Sequence, residues 1–141
     1  MSPWLITFLA SFLVWFMVAA AALLARHALL PSLVAWVIAQ LLKWLHHTPR
    51  PFELNGAGTF TLWAKPDGSF PSGHTALAFA LATSVLLHRR NLGLIFISAA
   101  LLVGTGRVLS NVHYSVDILA GAAIGITTAL LLHRLHRFYP K

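Results

Sequence analysis

Cysteine is absent from this chain, which excludes disulfides, thiolate nucleophiles and thiolate metal ligands. Acidic side chains are nearly absent as well: Glu53, Asp67 and Asp117 are the complete set. A two-metal hydrolytic centre needs several carboxylate ligands, and three acids on three separate segments fit it poorly. Charge of either sign is scarce. Asp, Glu, Lys and Arg make up 9% of the 141 residues, too few to cover the surface of a water-soluble domain of this size. There is no internal repeat and no low-complexity tract.

What is there is apolar. Hydrophobic residues make up 58% of the chain and the mean hydropathy is +0.78. This composition predicts an integral membrane protein, read as a single domain over residues 1–141. The net charge of +7 would suit a nucleic-acid partner, but the basic residues are scattered among long apolar runs. In a membrane protein they set topology and meet anionic head groups, so no nucleic-acid partner is expected.

The expected fold is all-α: a polytopic helix bundle with about five transmembrane helices, near 4–25, 29–46, 74–88, 92–109 and 115–133. The run Trp4–Ala25 is longer than a signal-peptide core and no Lys or Arg precedes it, so it reads as a span rather than a cleaved leader. The third segment is short, roughly 21 Å of helix at 1.5 Å per residue. A short apolar helix opening on a polar motif predicts a start within a hydrated, protein-lined depression. One long loop, near 48–73, holds Pro49, Pro51, Gly56, Gly58, Pro66 and Gly68, which break regular structure. Gly121 and Gly125, four apart in the last segment, predict close helix packing. Trp4, Trp44, Trp63, Tyr114 and Tyr139 fall near expected interfaces, although Trp15 and Trp36 lie mid-span.

Three short stretches carry chemistry: Lys43-x6-Arg50-Pro51, Pro71-Ser72-Gly73-His74 and Arg107-x5-His113-x3-Asp117. The spacing places all three at one end of the bundle. Arg26, Arg89, Arg90, Arg134, Arg137 and Lys141 fall at the other end; Lys43, Arg50, Lys65 and Arg107 remain with the motifs. The positive-inside bias therefore predicts a motif end outside the cytoplasm. His113 and Asp117 are four apart, the spacing that brings side chains together on one helix face. A carboxylate there would fix the imidazole tautomer and support the charge formed when the ring reacts. Ser72 is a candidate N-cap and Gly73 permits close backbone approach, so this helix start can receive phosphate. Lys43, Arg50 and Arg107 are candidate phosphate-binding cations. His27, His88, His133 and His136 fall at the opposite end and read as interfacial; His46 and His47 have no carboxylate or cysteine companions that would suggest a metal.

In order and spacing, the three stretches resemble the type 2 phosphatidic-acid phosphatase superfamily of membrane lipid phosphatases. That pattern is Lys-x6-Arg-Pro, then Pro-Ser-Gly-His, then Ser-Arg-x5-His-x3-Asp. The resemblance covers about residues 43–117. Gly106 stands where the family usually has serine, and many members have six spans where five are expected here. The resemblance implies that His113 is the nucleophile forming a phosphohistidine, that Asp117 orients and supports it, and that His74 protonates the leaving oxygen and then activates water. Lys43, Arg50, Ser72, Gly73 and Arg107 would hold the phosphoryl oxygens, with no metal and no cofactor. Pro49–Phe52 with Ser69–Thr75 is most similar to the bacterial undecaprenyl-diphosphate phosphatases. This implies a bacterial inner-membrane enzyme of cell-wall synthesis, its site on the extracytoplasmic face. Phosphatidylglycerophosphate or phosphatidate hydrolysis would use the same residues. A non-catalytic lipid-phosphate binding or transport module is the alternative of another class.

Overall fold

The computed structural model describes residues 1–62, 64 and 67–138. Trp63, Lys65, Pro66, Tyr139 and Lys141 lie outside the described residues, as does the side chain of Arg137. All regular elements among the described residues are helices: α1 (Pro3–Ser11), α2 (Leu13–Leu24), a 3-10 turn (Arg26–Ala28), α3 (Leu29–Leu45), α4 (Pro51–Asn55), α5 (Gly73–Leu86), α6 (Arg90–Leu109) and α7 (Ser115–Phe138).

The expected helical membrane bundle forms, and its five apolar segments are not equivalent. Among the described residues, three helices are long and apolar enough to cross a bilayer: Arg26–Leu45, Arg90–Leu109 and Ser115–His136. The first apolar run is broken: α1 and α2 meet at 44° and together make up to a fourth span. The break coincides with two hydrogen bonds from outside the helix. Arg107 Nη1 donates to the Ala10 carbonyl at 3.0 Å, and the Leu62 amide donates to Ser11 Oγ at 3.3 Å. Side chains that engage a helix in this way are a known source of kinks.

The remaining apolar helix, α5, has 14 residues and runs through the middle of the bundle against α2, α3, α6 and α7. Its apolar residues are not striped, and nearly all are buried. Small side chains make this possible. Ala76, Ala78, Ala80 and Ala82 are fully enclosed, so neighbouring helices approach on every side. Gly121 and Gly125 do what their spacing predicts: a Cβ on Gly121 would lie 2.6 Å from the Ser72 carbonyl oxygen, and one on Gly125 would lie 2.4 Å from that of Ala76. α7 therefore rests directly on the α5 backbone.

The long loop is not wholly irregular. It contains α4, with Pro51 in its first turn and Gly56 closing it at φ 65°. Proline loses nothing at a helix start and glycine accepts the left-handed closing position. Asn55 and Asn111 pair through their amides at 3.0 and 3.1 Å, which ties α4 to the α6–α7 turn.

Candidate active site

The end of α3, the start of α4, the start of α5, the end of α6 and the start of α7 meet at one end of the bundle. Each candidate residue sits at one of these ends. Lys43 is in the last turn of α3, Arg50 caps α4, Ser72 caps α5, and Arg107 is in the last turn of α6. Lys43, Arg50, Ser72, Arg107, His113 and Asp117 are all buried; His74 is half-buried.

His113 lies in the turn before α7 rather than on the helix, since α7 begins at Ser115. The spacing still brings the pair together, with His113 Nδ1 3.3 Å from Asp117 Oδ2. A carboxylate can only accept, so Nδ1 carries the hydrogen and the Nε2 lone pair is left free. His113 and Asp117 are 2% and 1% exposed. Burial pushes the His113 imidazolium pKa down to about 4; the Asp117 hydrogen bond opposes this, and the charges of Arg107, Arg50 and Lys43 add to it. The resting ring is therefore neutral, as a nucleophile must be.

Asp117 is held from three sides. Its Oδ2 accepts from His113, from the Tyr114 amide at 2.8 Å and from the hydroxyl of Ser69. Asp117 is thus both a cap on the start of α7 and the partner of the imidazole. Its own carbonyl accepts from the Ser72 amide at 3.1 Å, which locks the start of α7 to the start of α5.

Ser72 Oγ accepts from the Thr75 amide at 3.4 Å and the Thr75 hydroxyl at 2.9 Å. Its lone pairs are used and its hydroxyl proton remains available to an anion. Gly73 faces α3: a Cβ there would meet Gln40 Oε1 at 3.2 Å and the Trp36 ring at 3.4 Å. His74 lies in the first turn of α5, within electrostatic reach of Arg107, His113, Lys43 and Arg50.

The two arginines are fixed by the protein. Arg50 Nη1 donates to the Val112 carbonyl at 3.2 Å and Nη2 to Asp67 Oδ1 at 2.5 Å. Burial pushes the Asp67 carboxyl up, but the hydrogen bond and charge of Arg50 outweigh it and hold Asp67 below the ordinary carboxylate range. Arg107 is anchored on the Ala10 carbonyl. The Nε–H groups of Arg50 and Arg107 are both buried without a partner. Unsatisfied buried donors are costly, and two on cationic groups within electrostatic reach of each other suit an oxyanion. Among the described residues, no group of three or more His, Asp or Glu is placed to hold a metal ion.

Sequence reasoning singled out neither Ser69 nor the Asp67–Arg50 ion pair. Ser69 reaches Asp117 across 48 positions, and no local periodicity reports such a contact. Gly106 also has a structural reason: a Cβ there would lie 2.7 Å from Leu9 Cβ and 2.8 Å from the Ala10 amide nitrogen. Helix α1 occupies the space that a serine side chain would need.

A profile of the PAP2 superfamily matches residues 10–140. The chain belongs to the PAP2 superfamily. This PAP2 chain is 31% identical over 110 residues to the bacitracin transport permease protein BcrC of Bacillus licheniformis, covering 78% of this chain and 54% of that protein. It is 32% identical over 108 residues to the undecaprenyl-diphosphatase BcrC of Bacillus subtilis, covering 77% and 55%. Against the lipid A 1-phosphatase of Rhizobium johnstonii it is 36% identical over 102 residues, covering 67% and 41%. The chain thus spans about half the length of the Bacillus relatives. The crystal structure of Aquifex aeolicus LpxE superposes with a TM-score of 0.68 at 28% identity, covering 92% of this chain and 81% of that one.

Proposed function

We propose that this chain is a metal-independent membrane lipid phosphatase that hydrolyses undecaprenyl diphosphate to undecaprenyl phosphate and inorganic phosphate. The observation that carries the reading is the buried His113–Asp117 pair set beside two arginines with unpartnered Nε–H groups. Nε2 of His113 attacks the terminal phosphorus while Asp117 accepts the Nδ1 hydrogen bond and supports the charge growing on the ring. The bond to the bridging oxygen breaks, and His74 gives that oxygen a proton. His74 then takes a proton from water, which attacks the phosphohistidine; the P–N bond breaks and His113 regains its neutral ring. Lys43, Arg50, Arg107, the Ser72 hydroxyl and the backbone at Gly73 hold the phosphoryl oxygens. Catalysis of this kind consists largely of positioning and of stabilising spread negative charge.

The diphosphate substrate is supported by the Bacillus subtilis relative's activity. A lipid-linked phosphate monoester is the second reading, favoured by the relatives named lipid A 1-phosphatase. Residues 1–141 act as one domain in a bacterial inner membrane. The site faces the extracytoplasmic side, because Arg26, Arg89, Arg90 and Arg134 lie on connections and ends at the far side of the bundle. Purified protein in detergent with EDTA, given undecaprenyl diphosphate, lipid A, phosphatidylglycerophosphate and phosphatidate in parallel, tests substrate and metal independence together. Phosphate release from the diphosphate first, lost in His113→Ala, is expected. Preferential release from a monoester would overturn the diphosphate assignment, and a requirement for added divalent ion would overturn the cation-only site.

A further inference from the structure

The four histidines at the far end of the bundle converge. The rings of His27, in the 3-10 turn, and His88, just beyond α5, have centroids 3.9 Å apart. His133, on α7, meets His88 edge-on at 5.2 Å. With Arg26 and His136 they rim a cavity of about 650 Å³ whose walls include Leu30, Leu87 and Leu132. Ser84 also lines it; this residue is 4% exposed and its hydroxyl has no partner. His88 Nδ1 lies 2.9 Å from the Ser84 carbonyl. A carbonyl only accepts, so this nitrogen carries hydrogen and the Nε2 of His88 is left unclaimed.

Charge complementarity identifies the occupant. The chain has three acids, Glu53, Asp67 and Asp117, and all three are in the loop or helix starts of the catalytic end. The cavity rim therefore carries cationic and titratable groups with no carboxylate to neutralise them. Its walls are apolar and it sits where spans end, so the complementary molecule pairs an anionic head with an acyl chain.

We infer that this cavity is a second, non-catalytic lipid site, which binds the phosphodiester headgroup of an anionic phospholipid between Arg26, the Ser84 hydroxyl and the imidazoles of His27, His88 and His133. The polar groups that line the cavity are Arg26 and His27 from the turn, Ser84 from α5, His88 from the α5–α6 connection, and His133 and His136 from α7. Helix α3 contributes the apolar Leu30 and Pro31.

Native mass spectrometry of the detergent-purified protein, titrated with phosphatidylglycerol or with phosphatidylcholine of the same chains, tests this. Phosphatidylglycerol should bind roughly tenfold or more tightly. That preference should be lost in Arg26→Gln and His133→Gln and kept in Arg50→Gln, which alters the catalytic cradle instead. Equal binding of the two lipids, or a preference lost in Arg50→Gln and kept in the other two, would overturn the site. A second readout needs no variant. Phosphatidylglycerol should raise the unfolding temperature of the unaltered protein more than phosphatidylcholine of the same chains does. Equal increments from the two lipids would overturn the site.

Discussion

The hydroxyl of Ser69 shows how the reactive pair is held. It donates to the same Asp117 oxygen that faces His113, so it steadies the carboxylate without touching the site where phosphorus would sit. Ser69→Ala should lower kcat about 10- to 100-fold, the range for one hydrogen bond to a charged group, and leave KM within about twofold. A raised KM at unchanged kcat, in a steady-state assay, would contradict a role through Asp117. His113 gives a second test at this scale. Its imidazolium pKa is depressed to about 4 in the folded protein, against about 6.5 when unfolded. The unfolded chain therefore takes up the proton first, and stability present above pH 6.5 is lost as the pH falls towards 4. Thermal unfolding in detergent should show a steeper loss across that window for the unaltered protein than for His113→Gln; parallel profiles would contradict the buried neutral ring.

Helix ends were the most legible elements. Lys43, Arg50, Ser72, His74, Arg107, His113 and Asp117 could be gathered from sequence because each lies where an apolar run stops or starts, and alternating helices return those ends to one side. Less legible were features that depend on distant partners. The break between α1 and α2 coincides with Arg107 and Leu62 reaching Ala10 and Ser11, contacts that hydropathy does not encode. Helix α4 was hidden because Pro51 and Gly56 read as breakers, although together they frame a one-turn helix that presents Arg50. Gly106 departs from the serine usual in the family, and it is the place where α1 docks on α6. Gly106→Ser should therefore impair rather than improve the protein: pushing α1 off Arg107 should cost about 1–3 kcal/mol of stability, as overpacking does, and lower kcat/KM. Higher activity in this variant, at unchanged unfolding temperature, would show that a serine is accommodated and useful.

At the scale of the whole molecule, the two ends of the bundle differ in charge and in what they hold. One end gathers every acid and the buried His113–Asp117 pair; the other gathers Arg26, Arg89, Arg90 and the histidine cavity. Because the chain has no cysteine, single cysteines can report which face each end occupies. Gly58→Cys, in open space within the loop, should be labelled by a membrane-impermeant maleimide applied to intact spheroplasts. Asn91→Cys, exposed in the first turn of α6, should be labelled only after permeabilisation. The reverse pattern would place the reactive pair on the cytoplasmic face and overturn the proposed orientation.

The central claim is that phosphorus passes through the ring of His113. Rapid mixing of the His74→Ala variant with undecaprenyl diphosphate labelled on its terminal phosphate, followed by an alkaline quench, tests it: a phosphate leaving group departs with less need of a proton than water has of a base, so losing both proposed roles of His74 should slow hydrolysis more than formation and let the intermediate accumulate. The account predicts an alkali-stable, acid-labile label on His113, with neither label nor phosphate release when His113 is alanine. Phosphate release at the unaltered rate by folded His113→Ala protein would contradict it.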